Sequence, residues 1–162
     1  GIRYLFGDLE QTTLSMDTRL NVTFTPDLTL ELYAQPFIAS GEYGTIKELA
    51  EGGVFAFNRF GVDLGTVALE DDGDRTIDPD GAGPAESFSV SNRDFNRTSL
   101  RGTAVLRWEW RPGSTLFLVW QQGRSERRTD FGDFDLSRDI GNLLDGDSQN
   151  VFMVKATYWL GS

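Results

Sequence analysis

FNRTSLRGTAVLRWEWRPGSTLFLVWQQGR, residues 95–124, decides the fold. It reads as two long strands joined by a tight turn at Arg111-Pro112-Gly113-Ser114. Proline presets one turn dihedral and glycine accepts the unusual one, so Pro-Gly between two apolar-rich runs marks a turn. In the first run Leu100, Gly102, Ala104, Leu106, Trp108 and Trp110 share one parity, whereas Arg97, Arg101, Arg107 and Glu109 fall on the other. Successive side chains of a strand point to opposite faces. One face is therefore apolar and ends in two tryptophans, and the other is rich in arginine.

Working outward, Thr12 to Thr25 alternates in the same way, with Leu14, Met16, Leu20, Val22 and Phe24 opposed to Asp17, Arg19, Asn21 and Thr23. Thr25-Pro26-Asp27 predicts a turn, after which Leu28, Leu30, Leu32 and Ala34 alternate with Thr29, Glu31, Tyr33 and Gln35 until Pro36 ends or edges the strand. FTPDLTLELY and WRPGSTLFLVW share one plan, so one architectural unit is used twice. Hairpins are expected over about 12–39 and 95–124, with a final strand over 150–160. Ile2 to Phe6 reads as the end of a preceding strand. The segments 40–94 and 125–149 read as long loops. Within the first, residues 45–50 suggest one helical turn, residues 54–60, 65–69 and 88–90 suggest short strands, and residues 70–86 read as an exposed acidic loop. Within the second, Leu136 to Leu144 suggests a short helix capped by Asp135.

Composition narrows the functions. The formal charge of −10 disfavours nucleic acid, whose phosphates require Lys and Arg. With neither Cys nor His, the chain has no disulfide, no thiolate and none of the usual zinc or triad residues. No apolar run is long enough for a transmembrane helix, but membrane barrels cross with alternating strands and escape that test. GIRYLFGDLE carries no signal-peptide pattern, so an exported form begins after its signal or inside a longer precursor.

An apolar sheet face meets either lipid or a second sheet. Three features favour lipid. The strands over 12–25 and 96–110 are long, and about ten residues tilted about 40° cover an apolar band of about 25 Å. Phe24, Trp108, Trp110, Trp120, Tyr158 and Trp159 sit where interfacial aromatics would anchor. The connections are either very short or very long and acidic, as in outer-membrane barrels. The expected fold is thus all-β, an antiparallel up-and-down meander forming the C-terminal part of an outer-membrane β-barrel, with long acidic external loops. Five to seven visible strands are too few for a closed single-chain barrel of about eight or more. The expected partners are the lipid bilayer and the remainder of a larger barrel or another chain. The alternatives are a soluble, extracytoplasmic β-sandwich that binds glycans or a partner protein, and an accessory subunit docked on a membrane complex.

VLRWEWRPGSTLFLVWQQGRS (105–125), with RLNVTFTPDLTLELYAQPF (19–37), TIDPDG (76–81), RDFNRTSLRG (93–102) and VFMVKATYWL (151–160), resembles the C-terminal region of a bacterial family. That family joins an N-terminal sandwich, similar to family-nine carbohydrate-binding modules, to an outer-membrane β-barrel. The resemblance implies a barrel end and a preceding region, and it supplies no catalytic residues.

Asp17, Arg19, Glu31, Arg97, Arg101, Arg107 and Glu109 are expected to line a lumen, either as a selectivity lining for anionic or sugar-like solutes or as a ladder of cross-strand ion pairs. Arginine forks suit carboxylates, and Arg outnumbers Lys 13 to 2. The tryptophans read as interfacial anchors, with stacking on sugar rings as the alternative. Asp71, Asp72, Asp74, Asp78 and Asp80 offer oxygens for calcium, and so do Asp130, Asp133, Asp135 and Asp139. DPDG lacks the full calcium-loop spacing, so solvated acidic loops without a cofactor are the expected reading. No carboxylate pair or activated nucleophile stands out, and a non-enzymatic role is expected.

Overall fold

The structure, a computed structural model, describes residues 3–161. Its strands are β1 (Leu5–Ser15), β2 (Thr18–Thr25), β3 (Leu28–Leu49), β4 (Phe57–Arg59), β5 (Thr66–Leu69), β6 (Arg75–Asp78), β7 (Phe88–Val90), β8 (Phe95–Arg111), β9 (Ser114–Arg128) and β10 (Ser148–Thr157). Among the described residues a single helix, α1 (Leu136–Asp145), precedes β10. One sheet has seven strands in the order β1-β3-β8-β9-β10, with β2 and β4 also paired to β3; a second has three, β5-β6-β7. The chain is therefore mostly antiparallel β-sheet, and among the described residues the larger sheet stays open.

The chain divides into two compact units. The unit formed by 13–39, 97–127 and 135–162 is the hairpin unit. There β2 and β3 meet across Pro26-Asp27, with Leu20 opposite Leu32 and Val22 opposite Leu30. Strands β8 and β9 meet across Pro112-Gly113; Gly113 has φ +76°, which the third position of a type II turn requires after proline. The Glu109 N–H donates to the Asp27 carbonyl at 2.8 Å, which sets β8 antiparallel beside β3. β10 pairs antiparallel with β9, placing Phe152 opposite Trp120 and Val154 opposite Leu118. Asp135 caps α1 by accepting the Arg138 N–H at 2.8 Å, as expected from the sequence.

The unit formed by 1–12, 40–96 and 128–134 holds a small core of Ile46, Phe60 and Ile77. Leu5, Leu64, Phe88 and Val90 pack against it. In its three-stranded sheet Ile77 lies opposite both Val67 and Phe88, and its side chain is fully buried.

Several expectations are corrected. The continuous strand over 12–25 starts earlier, at Leu5, and is broken at Met16-Asp17. Pro36 does not end β3, which runs on to Leu49. Proline removes only a donor; its carbonyl still accepts the Met16 N–H at 3.2 Å, and the break in the neighbouring strand absorbs the irregularity. The helical turn expected at 45–50 is strand instead. Residues Ile38 to Gly41 are all buried, so burial on both faces erases the alternation there. Gly41 sits so close to the Phe95 ring that a Cβ would overlap it. The acidic loop over 70–86 contains β6, whose single apolar residue, Ile77, is too little for a periodicity signal.

Candidate functional site

The larger sheet of the hairpin unit carries two chemically different faces. Paired residues share a face, so the register assembles Leu20, Val22, Leu30 and Leu32 on β2–β3 with Leu116, Leu118, Phe152 and Val154 on β9–β10. Ala104 and Leu106 of β8 join them around a shallow apolar depression bounded by Leu30, Leu118 and Val154. This face holds no charged side chain over residues 18–34, 98–110, 114–122 or 150–156 at its parity. Leu20 is 52% exposed and Val154 is 70% exposed, so the apolar face is not a packed interior. At about 25 cal/mol per Å², an uncovered face built from that many Leu, Val and aromatic side chains is unfavourable in water.

Aromatic residues border this face. At the Pro112-Gly113 turn the Arg111 guanidinium lies 3.9 Å over the Tyr158 ring and donates to the Trp159 carbonyl at 3.2 Å. The Trp159 N–H donates to Ser114 Oγ at 3.0 Å, so the chain after β10 is tied to the start of β9. Trp108, Trp110 and Phe24 are exposed near the ends of their strands. Further along β9, Trp120 stacks on Phe152 at 6.3 Å and donates from Nε1 to Asn150 Oδ1 at 3.0 Å. The polar edge of the indole thus has a partner while its body lies on the apolar face.

The opposite face is polar over β2, β3 and β8. The Arg19 guanidinium stands 5.4 Å over the Tyr33 ring, and the Tyr33 hydroxyl donates to Asp17 Oδ1 at 2.8 Å. A groove of about 340 Å³ is lined by Arg19, Asn21, Glu31, Tyr33 and Thr103. Arg107 pairs with Glu109 at 3.0 Å, and Glu109 also accepts the Gly113 N–H. Arg19, Arg97 and Arg101 have no ion-pair partner among the described residues. The cross-strand ladder of ion pairs entertained from the sequence is therefore not what these three arginines form. Tyr33 is the member of this set that sequence reasoning did not single out, although its parity in β3 placed it there. Phe117 and Met153 also lie on this face, with Lys155 Nζ 6.0 Å from the Phe117 ring. The polar lining therefore gives way to a mixed one toward β10.

The acidic segments have their own geometry. Asp72 accepts the Asp74 N–H, Asp74 accepts the Asn92 N–H, Asp78 accepts from Asp80 and Gly81, and Asp80 accepts from Ala85. These carboxylates organise turns, as Asp commonly does. Asp71 is exposed. In the later segment Asp139 is fully buried, pairs with Arg138 at 3.1 Å and accepts the Asp135 N–H, while Asp130 pairs with Arg128 at 2.7 Å. Among the described residues no three acidic side chains gather into a metal-holding group. Next to β4, Asp63 accepts from both the side chain and the backbone N–H of Arg59. The side-chain bond first, then the backbone bond, holds its carboxyl below the ordinary range.

Residues 2–161 match a family model described as Domain of unknown function (DUF5916), and the chain belongs to that family. No curated protein matches the chain, and no solved structure matches it.

Proposed function

We propose that this member of the DUF5916 family is a non-enzymatic segment of an outer-membrane β-barrel, acting as scaffold or as part of a solute passage. The observation that carries the reading is the uncovered, charge-free face running from Leu20 through Leu106 to Val154. Acyl chains satisfy such a face without a second protein layer, and the aromatics at the strand ends match the lipid–water boundary. The polar face with Arg19, Tyr33, Arg101 and Arg107 then borders enclosed water.

The sheet edges add a requirement. β10 is exposed along its whole length and pairs only with β9 among the described residues. Unpaired backbone groups are intolerable in hydrocarbon, so the edges are closed by further strands, from a longer chain or from another chain. Extraction tests the reading. The full-length protein is expected to remain with membranes through a carbonate wash, to require detergent, and to migrate differently in gels when unheated. Recovery in the soluble fraction without detergent overturns it and favours a soluble extracytoplasmic sandwich.

A further inference from the structure

We propose that a cleft in the other unit, between β1, the end of β3 and the β6–β7 pair, binds a small carboxylic acid with an apolar body. The inference does not depend on the membrane reading. The cleft has a volume of about 170 Å³, and its apolar surface comes from Leu5, Phe6, Ile46 and Val90, with Arg75 and Arg93 as its charged members. An engineered cavity of about 150 Å³ accommodates a benzene ring, so the space suits one ring or a short branched chain.

Among the described residues the arginines of the cleft have no carboxylate partner. Arg75 donates one bond, from Nη2 to the Tyr43 carbonyl at 2.5 Å, which fixes the guanidinium and leaves its other donors uncommitted. Neither Arg75 nor Arg93 meets a carboxylate within ion-pair distance among the described residues. The nearby carboxylates are engaged elsewhere. Asp94 accepts the Tyr43 N–H at 2.7 Å, Asp74 accepts the Asn92 N–H, Asp8 pairs with Lys47, and Glu48 pairs with Arg3. A half-buried guanidinium held in place without an anion is a donor site awaiting one, because its fork matches a carboxylate through two parallel bonds. The Tyr43 ring lies against Gly7, where a Cβ would stand 3.0 Å from Tyr43 Cδ1. Glycine at that position keeps the ring in place and the cleft open beside it. Guanidinium donors and hydrocarbon in one cleft together select an anionic head on an apolar body, rather than a bare inorganic anion.

The test titrates the full chain with benzoate, benzamide and inorganic phosphate, following the methyl resonances of Ile46 and Val90. Benzoate is expected to shift both, and benzamide and phosphate to bind at least tenfold more weakly. Arg93→Gln, at an exposed position whose side chain makes no ion pair, should keep the fold and lose benzoate affinity at least tenfold; Arg75→Lys, which retains charge but not the fork, should also weaken it. No shift with benzoate overturns the proposal, and so does equal binding of benzamide or phosphate. Undiminished benzoate affinity in Arg93→Gln overturns it too.

Discussion

Replacing Val154 by arginine, and separately replacing its neighbour Met153, distinguishes the two faces of β10. Val154 lies opposite Leu118 on the apolar face, and Met153 lies opposite Val119 on the other. Along β10, Val154 stands two residues from the Trp120–Phe152 stack and four from Tyr158, or about 7 and 13 Å at about 3.3 Å per residue. It is therefore near the middle of the apolar band. An arginine on the lipid face of a barrel near the bilayer midplane costs about 2–4 kcal/mol. The same change at an exposed site in water stays within about 0.5 kcal/mol, and Val154 is 70% exposed. At about 1.4 kcal/mol per factor of ten, Val154→Arg should reduce the equilibrium constant for the folded, inserted state about 30- to 700-fold. Met153→Arg should leave it nearly unchanged. The assay is equilibrium unfolding in urea from lipid vesicles, read by tryptophan fluorescence of the full-length protein. Equal midpoints for the two variants, or a Val154→Arg loss below about 0.5 kcal/mol, would refute the lipid assignment.

Replacing Arg101 and Arg107 together by alanine should change single-channel conductance and reduce anion preference in a planar bilayer, because among the described residues Arg101 makes no ion pair and Arg107 pairs with Glu109. Unchanged conductance and selectivity would assign them a purely structural role. Gly41→Ala should destabilise the protein by about 1–3 kcal/mol in denaturant titration, since the new methyl overlaps the stiff Phe95 ring and the backbone must shift. The Asp63 carboxyl should titrate below the ordinary value of 3.8 in carbon-detected NMR. Its folded-state value is depressed, so its contribution is present above the unfolded value and is lost as pH falls through the folded one. The Arg59 amide should then lose exchange protection, relative to the intrinsic rate at the same pH, in acid, and an inflection at or above 3.8 would contradict the hydrogen-bonded geometry.

The parts of the fold legible from sequence were those where one face is apolar and the other polar. Residues 95–124 and 18–35 alternate cleanly, and β8–β9 and β2–β3 lie where that alternation places them. The alternation fails in two physical situations. Around Ile38–Gly41 both faces are buried, so small and polar residues occupy positions that look irregular. At β6 a four-residue strand contributes one core side chain, Ile77, and its neighbours read as loop because they serve turns on either side. Strand parity located the polar-face arginines, but the partner of each depends on which carboxylate the register brings near. Thus Tyr33 meets Arg19 and Asp17 for reasons visible only in the pairing of β2 with β3. The Arg75–Arg93 cleft draws on β1, β3, β6 and the segment after β7, and no local pattern could have joined them.

The distribution of charge bears on what the polar face meets. The chain is strongly acidic, yet its acids concentrate in the connections, at Glu70–Asp80 and Asp130–Asp147. On the polar sheet face Arg19, Arg97, Arg101, Arg107 and Lys155 stand against Asp17, Glu31 and Glu109. If that face were an ordinary water-exposed surface, counter-ions would screen each charge within about 8 Å at physiological ionic strength, and the sign of the excess would matter little. In an enclosed lumen with low-dielectric walls, the same excess acts on any ion that enters. Salt dependence therefore separates the two. Anion preference through a lumen should weaken steeply as ionic strength rises from about 0.01 to 1 M, over which the screening length falls from about 30 to 3 Å. A preference that does not change with salt would mean that selection comes from shape or from specific contacts in the Arg19–Tyr33 groove, and the arginine excess would then have no part in it.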